Sequence, residues 1–159
     1  MSERKTLIAY ATKGGVTGES ANIIAEVLRE KYGFDVEVLN LKEESKPELS
    51  QYDNIFIGSG IRMGRWYGRA KDLLKSDFTG KNVVIFLSAC SAGDPKSHDE
   101  AVDKYLDEVL AKYPNVKPVA TAAFGGRMKM FGKVKADTCN PDQVRLWAED
   151  VGRRLAGMQ

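Results

Sequence analysis

Short apolar runs rich in β-branched residues alternate along this chain with stretches whose apolar positions recur at helical spacing. Five runs read as strands, at residues 6–11, 36–41, 54–59, 83–88 and 118–124. The run at 83–88 is apolar throughout, as a strand covered on both faces must be. The run at 36–41 alternates, which suits an edge. Helical patterns fall at about 18–32, at 67–75, after Ser97, and from Pro141 onward. Gly33 is placed to end the first helix. Ser97 and Glu100 have the spacing of a capping box. Asn140-Pro141 opens the last helix with a cap residue and a proline at the first helical position. Its apolar stripe of Val144, Trp147, Ala148, Val151 and Leu155 is expected to pack into the core.

Strand–helix alternation of this kind implies an α/β fold with a parallel sheet and helices on both faces. Right-handed crossovers restrict the topology. Five strands fit a doubly wound sheet in the order 2-1-3-4-5. In that order the chain reverses direction across the sheet between strands one and three, and ligands bind at the carboxyl ends there. The connections after strands one, three and four must therefore converge. No repeat or composition break divides the chain, so residues 1–159 are expected to form a single domain.

The first connection is dense in hydroxyls and glycine: Thr12, Lys13, Gly14, Gly15, Val16 and Thr17. It leads from a buried strand into a helix N-terminus, whose first N–H groups lack partners and carry partial positive charge. Gly14 and Gly15 let the backbone approach a ligand, and Thr17 is also a candidate helix cap. The implied ligand is one phosphate. A Gly-x-Gly-x-x-Gly fingerprint and a Gly-Lys-Ser/Thr element are both absent, which argues against a dinucleotide or a nucleoside triphosphate. The second connection, through Ser59, Gly60, Ile61, Arg62, Met63 and on to Trp66 and Tyr67, supplies glycines, guanidinium groups and aromatics. The third, Ser88, Ala89, Cys90, Ser91, Ala92 and Gly93, is small and polar, suited to pairing with the edge of a flat ring. A phosphate at one end and a planar ring at the other describe flavin mononucleotide, FMN.

With 159 residues, 24 Lys and Arg against 22 Asp and Glu, and a net charge of +2, the chain has no strong global attraction for nucleic acid. Cys90 and Cys139 match no zinc or Cys-x-x-Cys spacing, and there is one histidine, His98, so no metal site is expected. No signal-like or membrane-length segment is evident, and a cytoplasmic location is expected. A phosphoacceptor domain on the same topology needs acids where Ala11-Thr12 and Ser59-Gly60 stand, and is rejected.

Over nearly its full length the chain resembles the flavodoxin family. Residues 12–17 look like that family's phosphate loop. Within the family, the segment from Tyr52 to Gly64, with its Ile-Arg-x-Gly element, is similar to the branch that includes quinone-dependent protoporphyrinogen oxidases. The resemblance implies a flavodoxin-like fold and FMN held by Thr12 to Thr17, by Ser59 to Met63 with Trp66, and by Ser88 to Ser91 with Gly93. It implies a flavodoxin that carries electrons between redox proteins. The alternative is a flavodoxin-like protoporphyrinogen oxidase or quinone-linked oxidoreductase. Flavodoxins commonly stack the ring between an aromatic in the second connection and a tyrosine in the third; here the third has no aromatic and Arg62 falls in register at the usual second-connection position, leaving Trp66 or Tyr67 either to reach the ring or to pack the following helix. Arg62, Arg65 and Arg69 would favour negative charge on the ring if they face it. The segment 127–135 mixes cations with Met and Phe. It reads either as a solvated loop with packed Met and Phe, or as a docking element for an acidic redox partner or, less favoured, a membrane. A monomer or weak dimer is expected.

Overall fold

The computed structural model describes residues 5–13 and 15–158. Strand β1 (Lys5–Ala11) leads into helix α1 (Val16–Tyr32) and strand β2 (Asp35–Asn40). Then follow β3 (Asn54–Arg62), β4 (Arg65–Trp66), α2 (Gly68–Leu73) and β5 (Asn82–Ser88). A 3₁₀ turn (Cys90–Gly93) precedes α3 (His98–Val102), a π-helical turn (Asp103–Asp107) and α4 (Glu108–Leu110). The chain closes with β6 (Ala120–Phe124), the hairpin β7 (Arg127–Met130) and β8 (Lys133–Asp137), and α5 (Pro141–Ala156).

The main sheet has six strands, not the five expected. Its path is β2-β1-β3-β5-β6, all parallel, and β4 pairs antiparallel with β3. The extra strand arises because β3 runs on past Ser59 to Arg62 and folds back through a two-residue turn. Met63 and Gly64 hold φ of 51° and 75° there, the positive pair that a tight hairpin turn requires. Gly64 suits the turn, but Met at such a φ is uncommon, so the residue pattern marks only half of it.

Successive side chains of each strand feed opposite faces. Leu7, Ile55, Ile57 and Ile85 enter one buried cluster. Ile8, Phe56, Val84 and Phe86 enter the other, against α1 and α5. Trp147 packs in this second cluster as expected, edge-on to Phe124 with centroids 5.3 Å apart. Gly33 ends α1 at φ 66°, its N–H returning to Arg29, while Asn140 caps α5 by accepting from the Gln143 N–H.

Two expected caps do not form. Ser97 precedes α3 but donates its hydroxyl to the Ser91 carbonyl at 2.6 Å instead of capping. Thr17 lies inside α1, and Gly15 in the left-handed region is the N-cap residue. The segment 127–135 is a β-hairpin and not a loop with packed apolar residues: Met128, Met130 and Val134 are about half exposed and Phe131 stands 95% exposed. Among the described residues no helix is long and apolar enough to cross a membrane.

Candidate functional site

The carboxyl ends of β1, β3 and β5 open into a cleft of about 800 Å³. Of the residues singled out in the sequence, it brings together Thr12, Lys13, Val16, Thr17, Gly60, Ile61, Arg62, Met63, Ser88, Ala89, Cys90 and Ser91. All three connections therefore contribute. Gly15 lines instead an adjoining cavity of about 680 Å³ that also touches Thr12, Lys13, Tyr67 and Arg69. Gly14 lies outside the described residues.

Three singled-out residues stand behind the wall. Ser59 is fully buried; its hydroxyl donates to the Gly60 carbonyl at 2.7 Å and accepts from the Tyr67 N–H at 3.1 Å, which ties the second connection to the start of α2. Trp66 is 5% exposed in the core and donates its indole N–H to the Tyr105 carbonyl at 2.7 Å. Gly93 packs on Thr138, whose Oγ1 would lie 2.4 Å from an added Cβ. Between Trp66 and Tyr67, the tyrosine is the one that lines the cleft.

The walls are built to receive polar groups. The hydroxyls of Thr17 and Ser88 are buried and have no hydrogen-bond partner. Leaving a buried hydroxyl unsatisfied costs about 1–3 kcal/mol, so each calls for a guest in the cleft they share. Gly60 sits between the connections: a Cβ there would come within 3.3 Å of Thr12 Oγ1 and Tyr67 Cε2 and 3.4 Å of Thr17 Oγ1. The glycine keeps these groups gathered around one bare stretch of backbone. Helix α1 begins beside them and aims its unpaired N–H groups at the same place. Lys13, Arg62, Arg127 and Lys129 make the lining cationic. An anion with further polar edges fits this donor set.

The cleft has a wall the sequence did not announce. Tyr105 enters from the π-helical turn, and Gly126, Arg127, Met128 and Lys129 enter from the base of the β7–β8 hairpin. A Cβ at Gly126 would stand 3.0 Å from the backbone of Ala89 and Cys90, so glycine lets the hairpin lie close on the third connection without displacing that backbone. Arg127 is fixed by Glu19 at 3.3 Å and Asp137 at 3.2 Å. Arg65 is exposed and does not line the cleft, and Arg69 donates to the Leu41 and Lys42 carbonyls. Arg62 is thus the one guanidinium of the second connection in the cleft lining. Burial, then the Asp137 charge, pushes the Cys90 thiol up from its ordinary value, which disfavours a reactive thiolate there.

The flavodoxin-domain family model matches residues 7–134 of the chain. The chain belongs to the flavodoxin family. Proteins of this family bind FMN. The chain is 33% identical over 135 residues to the protoporphyrinogen IX dehydrogenase [quinone] of Escherichia coli K12, covering 85% of this chain and 65% of that protein. It is 30% identical over 115 residues to flavodoxin 1 of Azotobacter vinelandii, covering 67% of this chain and 62% of that protein. It thus spans less than two thirds of the length of these relatives. The fold matches oxidised flavodoxin 1 of Bacillus cereus with a TM-score of 0.63 at 21% identity, over 98% of this chain and 99% of that one.

Proposed function

We propose that this flavodoxin-family chain, as one domain over residues 1–159, holds FMN in the 800 Å³ cleft and serves as a cytoplasmic electron carrier between redox proteins. The observation that carries the reading is the pair of buried, unpartnered hydroxyls on Thr17 and Ser88, one in the first connection and one beside the third. They stand where a phosphate and a ring edge would give them partners.

Bound FMN supplies a ring that accepts and returns electrons; the protein binds it and tunes it. Thr12 and Thr17 offer hydroxyls to the phosphate, and the first N–H groups of α1 add their own. Gly60, lacking a Cβ, keeps the backbone of the second connection open to the ligand. Arg62 places positive charge in the lining and favours electron uptake, in the direction Coulomb attraction dictates. Ser59 and Trp66 act from behind, fixing Tyr67 and Tyr105.

Similarity to the quinone-linked Escherichia coli dehydrogenase, together with the Ile-Arg-x-Gly element in the second connection, supports a second reading: a flavin-linked oxidoreductase with its own small substrate. Purified protein should be yellow, with one FMN per chain released on denaturation. A colourless protein that fails to quench added FMN fluorescence overturns both readings. Oxidation of protoporphyrinogen with a quinone acceptor, at a rate well above that of free FMN, selects the second.

A further inference from the structure

Two tight hairpins border the cleft, and both carry the same unusual tip. In the β3–β4 turn, Met63 at φ 51° precedes Gly64; in the β7–β8 turn, Phe131 at φ 52° precedes Gly132 at φ 78°. These are the only non-glycine residues at positive φ among the described residues. Each is a large apolar side chain where Asn or Asp is the ordinary choice. They are also the two most exposed large hydrophobics described, at 91% and 95%. Neither strained backbone nor exposed apolar surface contributes to folding, so the repetition calls for another cause.

Cations flank both tips: Arg62 and Arg65 around Met63, Lys129 and Lys133 around Phe131, with Lys135 beyond. Residues 127–137 hold four of the chain's 24 Lys and Arg but one of its 22 Asp and Glu. The remainder of the chain is slightly acidic, so the positive charge is concentrated where the apolar tips are. Among the described residues Arg127 is the hairpin cation that forms ion pairs, while the three lysines form none. Met130, half exposed, adds apolar surface beside Phe131.

We propose that the two tips seat the mouth of the cleft on an anionic lipid surface. An apolar tip with a collar of long cationic side chains matches the layering of a bilayer interface. The Phe and Met side chains reach the boundary of headgroups and acyl chains, and Arg and Lys remain at headgroup level. A Cβ at Gly132 would meet nothing within 4 Å and one at Gly64 would meet the Lys104 Nζ at 3.9 Å, and such open turns suit a yielding surface. A rigid acidic protein would need a pocket shaped for each tip. Because Met63, Arg62, Met128 and Lys129 also line the cleft, seating both tips brings its opening to the membrane. The surface does not depend on what the cleft holds.

Flotation of the full chain with vesicles tests this, with and without added FMN. Vesicles of three parts phosphatidylcholine to one part phosphatidylglycerol should carry the protein, and pure phosphatidylcholine should not. Changing Lys129, Lys133 and Lys135 to Gln should weaken binding about fivefold per lysine. The pair Met63→Ser and Phe131→Ser should weaken it about tenfold or more. In Phe131→Trp, tryptophan emission should shift to the blue on anionic vesicles; wild type, with Trp66 buried and Trp147 partly buried, should not respond. Failure of wild type to float with anionic vesicles overturns the inference. So does flotation that both sets of substitutions leave unchanged, or retention on an acidic polypeptide such as polyglutamate without vesicle binding.

Discussion

Thr138 Oγ1 donates to the carbonyl oxygen of Cys90 at 2.9 Å and accepts the Gly126 N–H at 3.1 Å. One hydroxyl thus joins the third connection to the base of the β7–β8 hairpin, 48 residues away in sequence from the first of these partners. Around it Gly93 and Gly125 are bare: a Cβ on Gly125 would lie 1.8 Å from the Thr138 carbonyl oxygen. The hairpin wall of the cleft therefore hangs on Thr138. Thr138→Val keeps the shape and removes these bonds together with the longer 3.3 Å contact of the hydroxyl with the Gly126 carbonyl. It should cost about 1–2 kcal/mol in urea unfolding, at the lower end for a half-buried site. Hydrogen exchange should quicken at Gly126 while the amides of β1 and β3 are unaffected.

The unpartnered hydroxyl of Thr17 gives a prediction whose sign differs between free and bound protein. In the free protein Thr17→Val removes a buried group that has no partner. Stability should hold or rise, by up to about 1 kcal/mol. FMN affinity should fall about tenfold, the equivalent of one lost hydrogen bond. Apo-protein denaturation and fluorescence quenching titration measure the two halves. Equal loss in both would make Thr17 a structural residue only.

How legible this was in the sequence depends on what set each feature. Strands β1, β3 and β5 are readable because burial on both faces forces long apolar runs such as Val83 to Leu87, and the edge strand β6 is readable from its small and apolar residues. The three converging connections followed from topology alone. What escaped were features fixed by tertiary contact. Ser97 has the spacing of a cap, but the nearby Ser91 carbonyl takes its hydroxyl. Trp66 looked available to a ring, yet its indole N–H is committed to Tyr105 across the fold. Both hairpins were only half marked, at Gly64 and Gly132, because Met63 and Phe131 replace the residues that normally signal positive φ. The Gly-Gly pair at 125–126, just before a segment of alternating Met and cations, was the available signal for the β7–β8 wall.

Tyr52 gives a pH prediction. Burial first, then its hydrogen bond to Glu37, raises the phenol from its ordinary 10.0 to about 12. In this interval the unfolded chain loses the Tyr52 proton while the folded chain retains it. The sign follows: the contribution is intact below about pH 10 and is lost as pH rises toward 12. Stability of wild type should thus decline across that window more steeply than that of Tyr52→Phe, whose ring carries no such proton. Parallel curves in urea titrations at several alkaline pH values would remove Tyr52 from the account.

Gly58 tests the packing beneath the cleft. It pairs with Tyr10 and Phe86 in the centre of the sheet. An added Cβ would stand 2.3 Å from Cζ of Phe86 and 2.5 Å from its Cε2. Phe86 is fully buried and its ring touches those of Phe124 and Trp147, so it has little room to withdraw. Gly58→Ala should therefore cost about 1–3 kcal/mol, the range for overpacking a filled core. Adding Phe86→Leu should relieve part of the clash, making the double variant more stable than the sum of the single effects. Strict additivity in a double-mutant cycle would place the cost in the backbone of β3 and not in the ring.

Arg62 tests the electrostatic side of the reading. It is exposed at the end of β3 yet lines the cleft. A charge pair near 4 Å in water is worth about 1 kcal/mol. Spread over a two-electron couple, that is about 20 mV. Arg62→Ala in the FMN-loaded protein should lower the two-electron potential by about this amount at low salt. Arg65→Ala, outside the cleft lining, should leave it in place. The difference between the two variants should shrink as ionic strength rises, because an exposed charge is screened within about 10 Å at 0.1 M salt. Equal effects from both arginines would mean that the general surface charge, and not the position of Arg62, sets the potential.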